Sequence, residues 1–371
     1  MRVGIPAESV PGETRVAAVP EMVPRLIKLG LEVRIARGAG FPSSYLDAAY
    51  ADTGATLVDG DEVYDADIVL AVHPPAPEKL KPGTVLLCML DPLGQPERVR
   101  ALADAKVTAF ALELVPRISR AQAMDVLSSM ANVAGYKAVL LAAVRCPKLF
   151  PLMMTAAGTV RPARVFVLGV GVAGLQAIAT ARRLGAVVDA YDIRSDTKEQ
   201  VESLGAKFVE FDLGIEDMQD EGGYARELTD EQKALQAKLM AKKIQESDVV
   251  ITTANVPGRR APLLITADVV EGMKPGAVIV DMAAESGGNC ACTQADGEVE
   301  ISGTIVLGPC NLPASVGQTT SQLYATNLLN FVQELVTDGV LKLDPEDEIQ
   351  AGSLVCHEGE IVHDRVKETK Q

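Results

Sequence analysis

Residues 165–178, VFVLGVGVAGLQAI, decide the fold. Gly169, Gly171 and Gly174 form G-x-G-x-x-G directly after an apolar β-branched run and directly before an alanine-rich helical run. A glycine turn between a strand and a helix is the pattern that cradles a dinucleotide. Gly169 allows the tight turn, Gly171 lets backbone approach a pyrophosphate, and Gly174 lets the helix pack on the sheet. The helix start adds unpaired N–H groups and a partial positive charge. The next strand, Val187–Tyr191, ends at Asp192, where an acid binds a ribose 2′-OH and repels a 2′-phosphate. The spacing therefore predicts NAD(H) rather than NADP(H). An ordinary tight turn would account for the glycines but not for their company.

Working outward, short apolar runs alternate with helical stretches. Val3–Pro6, Glu32–Ile35, Ile68–Val72, Val85–Leu90 and Val107–Leu112 read as buried strands ahead of the glycine turn. Lys207–Phe211, Val249–Thr252, Ala277–Asp281 and Thr304–Leu307 read as strands after it. Pro20–Leu29 and Glu97–Ala105 read as helices, although Pro24 requires the first to start late or kink. Met124–Val144, Thr229–Ser247 and Gln318–Val336 are longer helical patterns, and Ile349–Val362 looks like a closing hairpin around Glu358-Gly359. The alternation predicts an α/β chain of two Rossmann-like, doubly wound parallel-sheet domains. The outer domain is expected to be discontinuous, 1–128 plus 328–371, around an NAD(H)-binding domain over 129–327. The cleft between them should take the nicotinamide end of the cofactor.

Composition narrows the classes of function. A chain of 371 residues suits two cores, and 48% hydrophobic with 23% charged residues is ordinary for a globular protein. A net charge of −15 argues against nucleic acid and against direct docking on anionic lipid. No apolar run approaches a bilayer span, the longest being Ala138–Val144, and the N-terminus lacks a signal-peptide core. A cytoplasmic chain without direct membrane insertion is expected. Cys290-x-Cys292 has no nearby histidine, so no metal site is expected and the six cysteines read as reduced thiols.

A second segment carries polar groups that suit a site. PRISRAQAMDVLSSMANVAGY, residues 116–136, sets Arg117, Arg120, Gln122, Asp125 and Ser128 around one strand-to-helix junction. Ser119 is placed to cap the helix, and Gln122, Asp125 and Ser128 follow at three-residue spacing. Amide, carboxylate and hydroxyl on one face suit a carboxamide and a ribose. A capped, solvated polar face is the plainer reading of the same residues.

Three segments together, PRISRAQAMD, VLGVGVAGLQAIATARRLGAVVDAYDIR and DMAAESGGNC, resemble the soluble NAD(H)-binding component of proton-translocating nicotinamide nucleotide transhydrogenase. The resemblance runs over nearly the whole chain and implies a separate alpha-1 subunit whose membrane part lies on other polypeptides. It implies Re/Si-specific hydride transfer between NADH and NADP⁺. It also implies a homodimer, an NADP(H)-binding beta subunit, a membrane-spanning alpha-2 subunit, and a peripheral place on the inner face of the cytoplasmic membrane. By the same resemblance Arg117, Ile118, Ser119, Gln122 and Asp125 line the nicotinamide site, with Ser128 contacting the carboxamide. Gln122 would also reach toward the ribose of the second nucleotide. Val172 and Asp192, Ile193 and Arg194 would contact adenosine, and Gly222-Gly223-Tyr224 would close over bound nucleotide. Gln236, Ala254 and Asn255 fall where further NAD contacts lie, although the family often has an aliphatic residue at the last position.

The alternative is alanine dehydrogenase, which shares the N-terminal pattern MRVGIPAE…GETRVA and Arg15. That chemistry needs a lysine to polarise the substrate and a histidine as acid and base. The corresponding segments, AVHPP and CMLDPL, hold His73 and Asp91 instead. A non-catalytic NAD sensor is a third reading. Hydride passage between two nicotinamides removes no substrate proton, so it asks for positioning residues rather than an acid–base pair.

Overall fold

Strand register explains how distant parts of the sequence meet. The computed structural model describes residues 1–212, 229–255 and 258–368. It divides into two units, Met1–Val133 with Pro313–Gln371, and Ala134–Leu312.

The second unit carries a seven-stranded sheet, in the order Lys207–Phe208, Val187–Tyr191, Arg164–Leu168, Val249–Thr252, Val278–Asp281, Thr304–Leu307, Glu298–Ile301. All neighbours are parallel except the last pair. The strand Arg164–Leu168 is central because Val165, Phe166, Val167 and Leu168 are buried on both faces, as a parallel sheet covered by helices requires. Leu168 pairs with Tyr191 on one side and Thr252 on the other. Gly169, Asp192 and Thr253 therefore emerge side by side at the carboxyl edge, where open α/β sheets bind ligands.

The first unit holds an eight-stranded sheet, in the order Thr56–Val58, Glu32–Ala36, Arg2–Ile5, Ile68–Leu70, Val85–Cys88, Thr108–Ala111, Leu354–His357, Glu360–Ile361. Its first six strands are parallel and the last two antiparallel. Tyr324, Leu328, Phe331 and Val332 of the helix Gly317–Leu335 are fully buried in this unit's core. The chain thus returns to the first unit at Pro313, ahead of that helix, whereas the sequence placed the return within it at 328. The departure falls inside the helix Val126–Arg145, at Val133, rather than at 128.

Several expectations are corrected locally. Pro24 sits in the first turn of a short helix, Val23–Lys28, which follows a 3-10 turn Pro20–Met22; the late start removes its conflict with helix hydrogen bonding. The closing hairpin begins only at Leu354, because Asp347 accepts from Ile349 and Gln350 N–H groups and caps a helix Glu348–Ser353. Strands Thr56–Val58 and Glu298–Ile301 and a hairpin of Met153–Thr155 with Gly158–Val160 lie in stretches the periodicity passed over. The helix Val126–Arg145 is, by length and composition, apolar enough to cross a membrane, with mean hydropathy 1.3. Its scattered serines, asparagine and lysine break the apolar runs without lowering the average. Val126 and Met130 are nonetheless buried in the first core, and Ala138, Val139 and Ala142 in the second.

Candidate functional site

The glycine turn has the conformation its residues predicted. Gly169 has φ +95°, and a side chain there would bring Cβ to 2.5 Å from Thr253 Oγ1. A Cβ at Gly174 would collide with the carbonyl oxygen of Gly169, so the helix Val172–Arg183 sits as close to the turn as only glycine permits. A Cβ at Gly171 would meet nothing within 4 Å, which leaves its backbone open to a ligand. Gly171 is the N-cap, makes no side-chain cap, and its carbonyl starts the helix by accepting from Leu175. The first N–H groups of that helix have no intrahelical acceptor. A pyrophosphate fits this cradle on charge, space and donor direction.

The peptide joining Gly169 to Val170 is held at both ends. Its oxygen accepts from Thr253 Oγ1 at 3.0 Å, and the Val170 N–H donates to Asp192 Oδ2 at 2.7 Å. The Asp192 carboxylate also accepts from Arg194, through the backbone N–H at 2.9 Å and the guanidinium at 3.0 and 3.1 Å. Burial would push its pKa up, but the Arg194 and Val170 hydrogen bonds outweigh it and hold Asp192 below the usual carboxylate range. Asp192 is therefore ionised at neutral pH. Ile193 beside it is 85% exposed, an apolar face at the turn's edge.

Other expected residues gather at the same edge. Gln236, on the helix Asp230–Gln245, donates to the Tyr191 hydroxyl at 2.7 Å, one residue before Asp192. Thr229 and Gln232 form a capping box that starts this helix. Ala254 follows Thr253, with its carbonyl accepting from Asn289 Nδ2 at 2.8 Å, and Asn255 is exposed. Gly222, Gly223 and Tyr224 lie outside the described residues.

In the first unit, Ser119–Met124 is a 3-10 helix flanked by Arg117 and Ile118 on one side and Asp125 on the other. Ser119 makes no side-chain cap. Asp125 caps the following helix instead, accepting from Ser128 N–H at 2.8 Å and Ser128 Oγ at 2.5 Å. Ser128 is thereby coupled to Asp125, whereas Gln122 lies in the preceding 3-10 helix, so the three do not share one helix face as their spacing suggested. Asn327 and Asn330 donate to the Ala123 carbonyl and anchor the segment on the helix Gly317–Leu335. Arg120 is spent structurally, on Glu334 at 3.1 Å and Asp347 at 2.5 Å. Arg117 and Gln122 are exposed and make no side-chain hydrogen bond among the described residues.

The family models describe both halves of this chain. The N-terminal domain of the alanine dehydrogenase/PNT family matches residues 4–134, and the C-terminal domain of that family matches residues 138–364. The chain belongs to the alanine dehydrogenase/PNT family. It is 47% identical over 378 residues to the first of the polypeptides that make up NAD(P) transhydrogenase subunit alpha in Rhodospirillum rubrum, with 98% of each chain covered. The crystal structure of transhydrogenase from Sinorhizobium meliloti matches with a TM-score of 0.86 at 42% identity, over 98% of this chain and 99% of that one. An L-alanine dehydrogenase structure matches with a TM-score of 0.84 at 26% identity, over 100% and 99%. Within the alanine dehydrogenase/PNT family the fold is shared by both branches, and sequence identity sets this member nearer the transhydrogenases.

The residues of the alanine dehydrogenase alternative are engaged elsewhere in this family member. Arg15 turns its Nε–Nη2 edge onto Glu13 at 2.8 and 2.6 Å, and His73 Nε2 lies 2.8 Å from the same carboxylate. Asp91 is exposed and caps its own turn, accepting from Gly94 N–H and Gln95 Nε2. Sequence reasoning passed over Thr253, which clamps the turn, and the buried Asp281 behind it. The signal available was a single acid ending the strand VIVD ahead of Gly287-Gly288.

Proposed function

We propose that this chain is the NAD(H)-binding subunit of a proton-translocating transhydrogenase. It passes hydride between NADH and NADP⁺ held by a partner beta subunit, with membrane subunits coupling transfer to proton movement. The observation that carries the reading is the open Gly171 backbone beside an ionised Asp192, on a turn clamped by Thr253. Likeness to transhydrogenase alpha subunits supports it.

When bound, the nicotinamide supplies the carbon that gives or takes the hydride. The chain's own residues bind and orient. Gly169, Gly171 and Gly174 hold the pyrophosphate on the helix start, and Val172, Asp192, Ile193 and Arg194 take the adenosine side. Gln236, Ala254 and Asn255 add contacts; the contacts expected of Gly223 and Tyr224 fall outside the described residues. Arg117, Ile118, Ser119, Gln122, Asp125 and Ser128 address the nicotinamide and its carboxamide. Arg117 and Gln122 have side-chain donors uncommitted among the described residues, while Asp125 and Ser128 are locked together. Such a site needs geometry and dryness rather than a titrating base.

The exposed hairpin supports a homodimer. Met154 is 75% and Val144 82% exposed, with Leu149 and Leu152 exposed nearby in sequence. Exposed apolar side chains of that size, close along the chain, suit a protein contact. A peripheral place on the inner membrane face follows from the partners rather than from this chain. The test mixes the chain with an NADP(H)-binding partner and follows reduction of an NADP⁺ analogue by NADH. Transfer that needs both proteins supports the reading. Oxidation of alanine by the chain alone, with no transfer in the mixture, defeats it.

A further inference from the structure

The clamp on the glycine turn is itself held from behind by one buried carboxylate. Asp281 ends the strand Val278–Asp281 and is fully buried. Its Oδ1 accepts from Thr252 Oγ1 at 2.9 Å and Ala283 N–H at 3.0 Å. Its Oδ2 accepts from Asn289 N–H at 2.7 Å, Cys290 N–H at 3.0 Å and Thr293 Oγ1 at 2.6 Å. Five donors converge on a carboxylate that forms no ion pair among the described residues. Hydrogen bonds alone offset the desolvation of its charge.

Two of those links bracket Thr253. On one side Thr252 is tied directly to Asp281. On the other, the Ala254 carbonyl accepts from Asn289 Nδ2, whose backbone N–H is bound to Asp281. Asn289 Nδ2 also reaches the Pro262 carbonyl at 2.8 Å. Gly288, at φ +77°, lets the loop fold back; a Cβ there would lie 2.9 Å from Asp281 Oδ2. Thr253, fixed on both sides, then holds the Gly169 carbonyl and so the direction of the next N–H groups.

We infer that Asp281 is a positioning residue for nucleotide binding. It touches no ligand and acts by fixing Thr253, which orients the pyrophosphate turn. The inference rests on the NAD(H) reading above. An amide in place of this carboxylate must set its NH₂ against a backbone N–H, Ala283 on one oxygen or Asn289 and Cys290 on the other. Thr253→Val keeps the shape and deletes only the hydroxyl that holds Gly169.

The test measures affinity of the folded, full-length chain for NADH and for adenosine, which has no phosphate to meet the turn. In Thr253→Val and Asp281→Asn the NADH dissociation constant should rise about tenfold, the scale of one well-placed hydrogen bond. Adenosine affinity should stay within about twofold, and Thr253→Ser should restore NADH binding. The double variant should be no weaker than the weaker single, because both act on one carbonyl. If Asp281→Asn does not fold, Asn289→Ala removes the Ala254 tether, along with the Pro262 one, while leaving Asp281 in place, and should weaken NADH in the same direction. Unchanged NADH affinity in folded Thr253→Val, parallel loss of adenosine, or additive effects would overturn the inference. A wild-type chain that binds neither ligand would instead sink the NAD(H) reading itself.

Discussion

At the scale of single residues, Asp192 does two things at once. Its carboxylate fixes the Val170 N–H of the glycine turn, and in the proposed site its charge meets the ribose and repels a 2′-phosphate. Arg194 keeps that charge in place rather than inviting a phosphate, since its guanidinium is turned onto Asp192. Asp192→Ala should weaken NADH binding by at least about tenfold and bring the NADH and NADPH dissociation constants closer together. An unchanged ratio of the two would place the ribose elsewhere. The three glycines were legible in the sequence because each has its own reason to lack a side chain: Gly169 and Gly174 to avoid collisions, Gly171 to leave the backbone open. Thr253 and Asp281 were not, because their roles arise from strand register: Thr252 pairs with both Leu168 and Asp281, and no spacing along the chain encodes that.

At the scale of elements, long helices and fully apolar strands were legible, and short or edge pieces were not. Thr56–Val58 spans three residues between turn residues, too few to show a period, and Glu298–Ile301 alternates acid and apolar on an edge. The end of the chain shows local chemistry overriding pattern: Asp347 caps a helix where alternation suggested a strand. One close approach between helices was also hidden. A Cβ at Gly135, within Val126–Arg145, would collide with the carbonyl oxygen of Ala173 in the first turn of Val172–Arg183. An alanine in an open helix gains about 1 kcal/mol over glycine, but overpacking against backbone costs roughly 1–3 kcal/mol. Gly135→Ala should therefore lower the thermal midpoint and weaken NADH binding by displacing the helix start. A raised midpoint with unchanged affinity would show that the helices can part freely.

At the scale of the whole molecule, buried acids set the response to pH. Burial pushes Glu8 up to about 7, against the pull of the Val72 and His73 N–H groups. Burial likewise pushes Glu113 up to about 7, despite hydrogen bonds from Leu90 and Asp91 N–H. Between an unfolded value of 4.5 and a folded value of about 7, the native chain holds more protons than the unfolded one. Stability from each group is thus present below pH 4.5 and lost as pH rises to about 7, by up to about 1.4 kcal/mol per pH unit. Glu13 has the opposite sign: burial raises it, yet Arg15 and His73 hold it well below the usual range, so its contribution is lost on acidification. Glu113→Gln should gain stability relative to wild type between about pH 5 and about pH 8, measured by hydrogen exchange in the strand Val85–Cys88. A difference that does not change with pH would mean that Glu113 stays ionised throughout.

The net charge of −15 and the exposed hairpin both point to protein partners rather than nucleic acid at this scale. The central claim remains that an open glycine turn beside an ionised Asp192 selects NAD(H). Titrating the isolated chain with NADH, with NADPH in parallel, and following nicotinamide fluorescence tests it most directly. Saturable NADH binding, with NADPH weaker by about a hundredfold or more, is the predicted result. Equal affinity for the two, or no saturable binding of NADH, would contradict it.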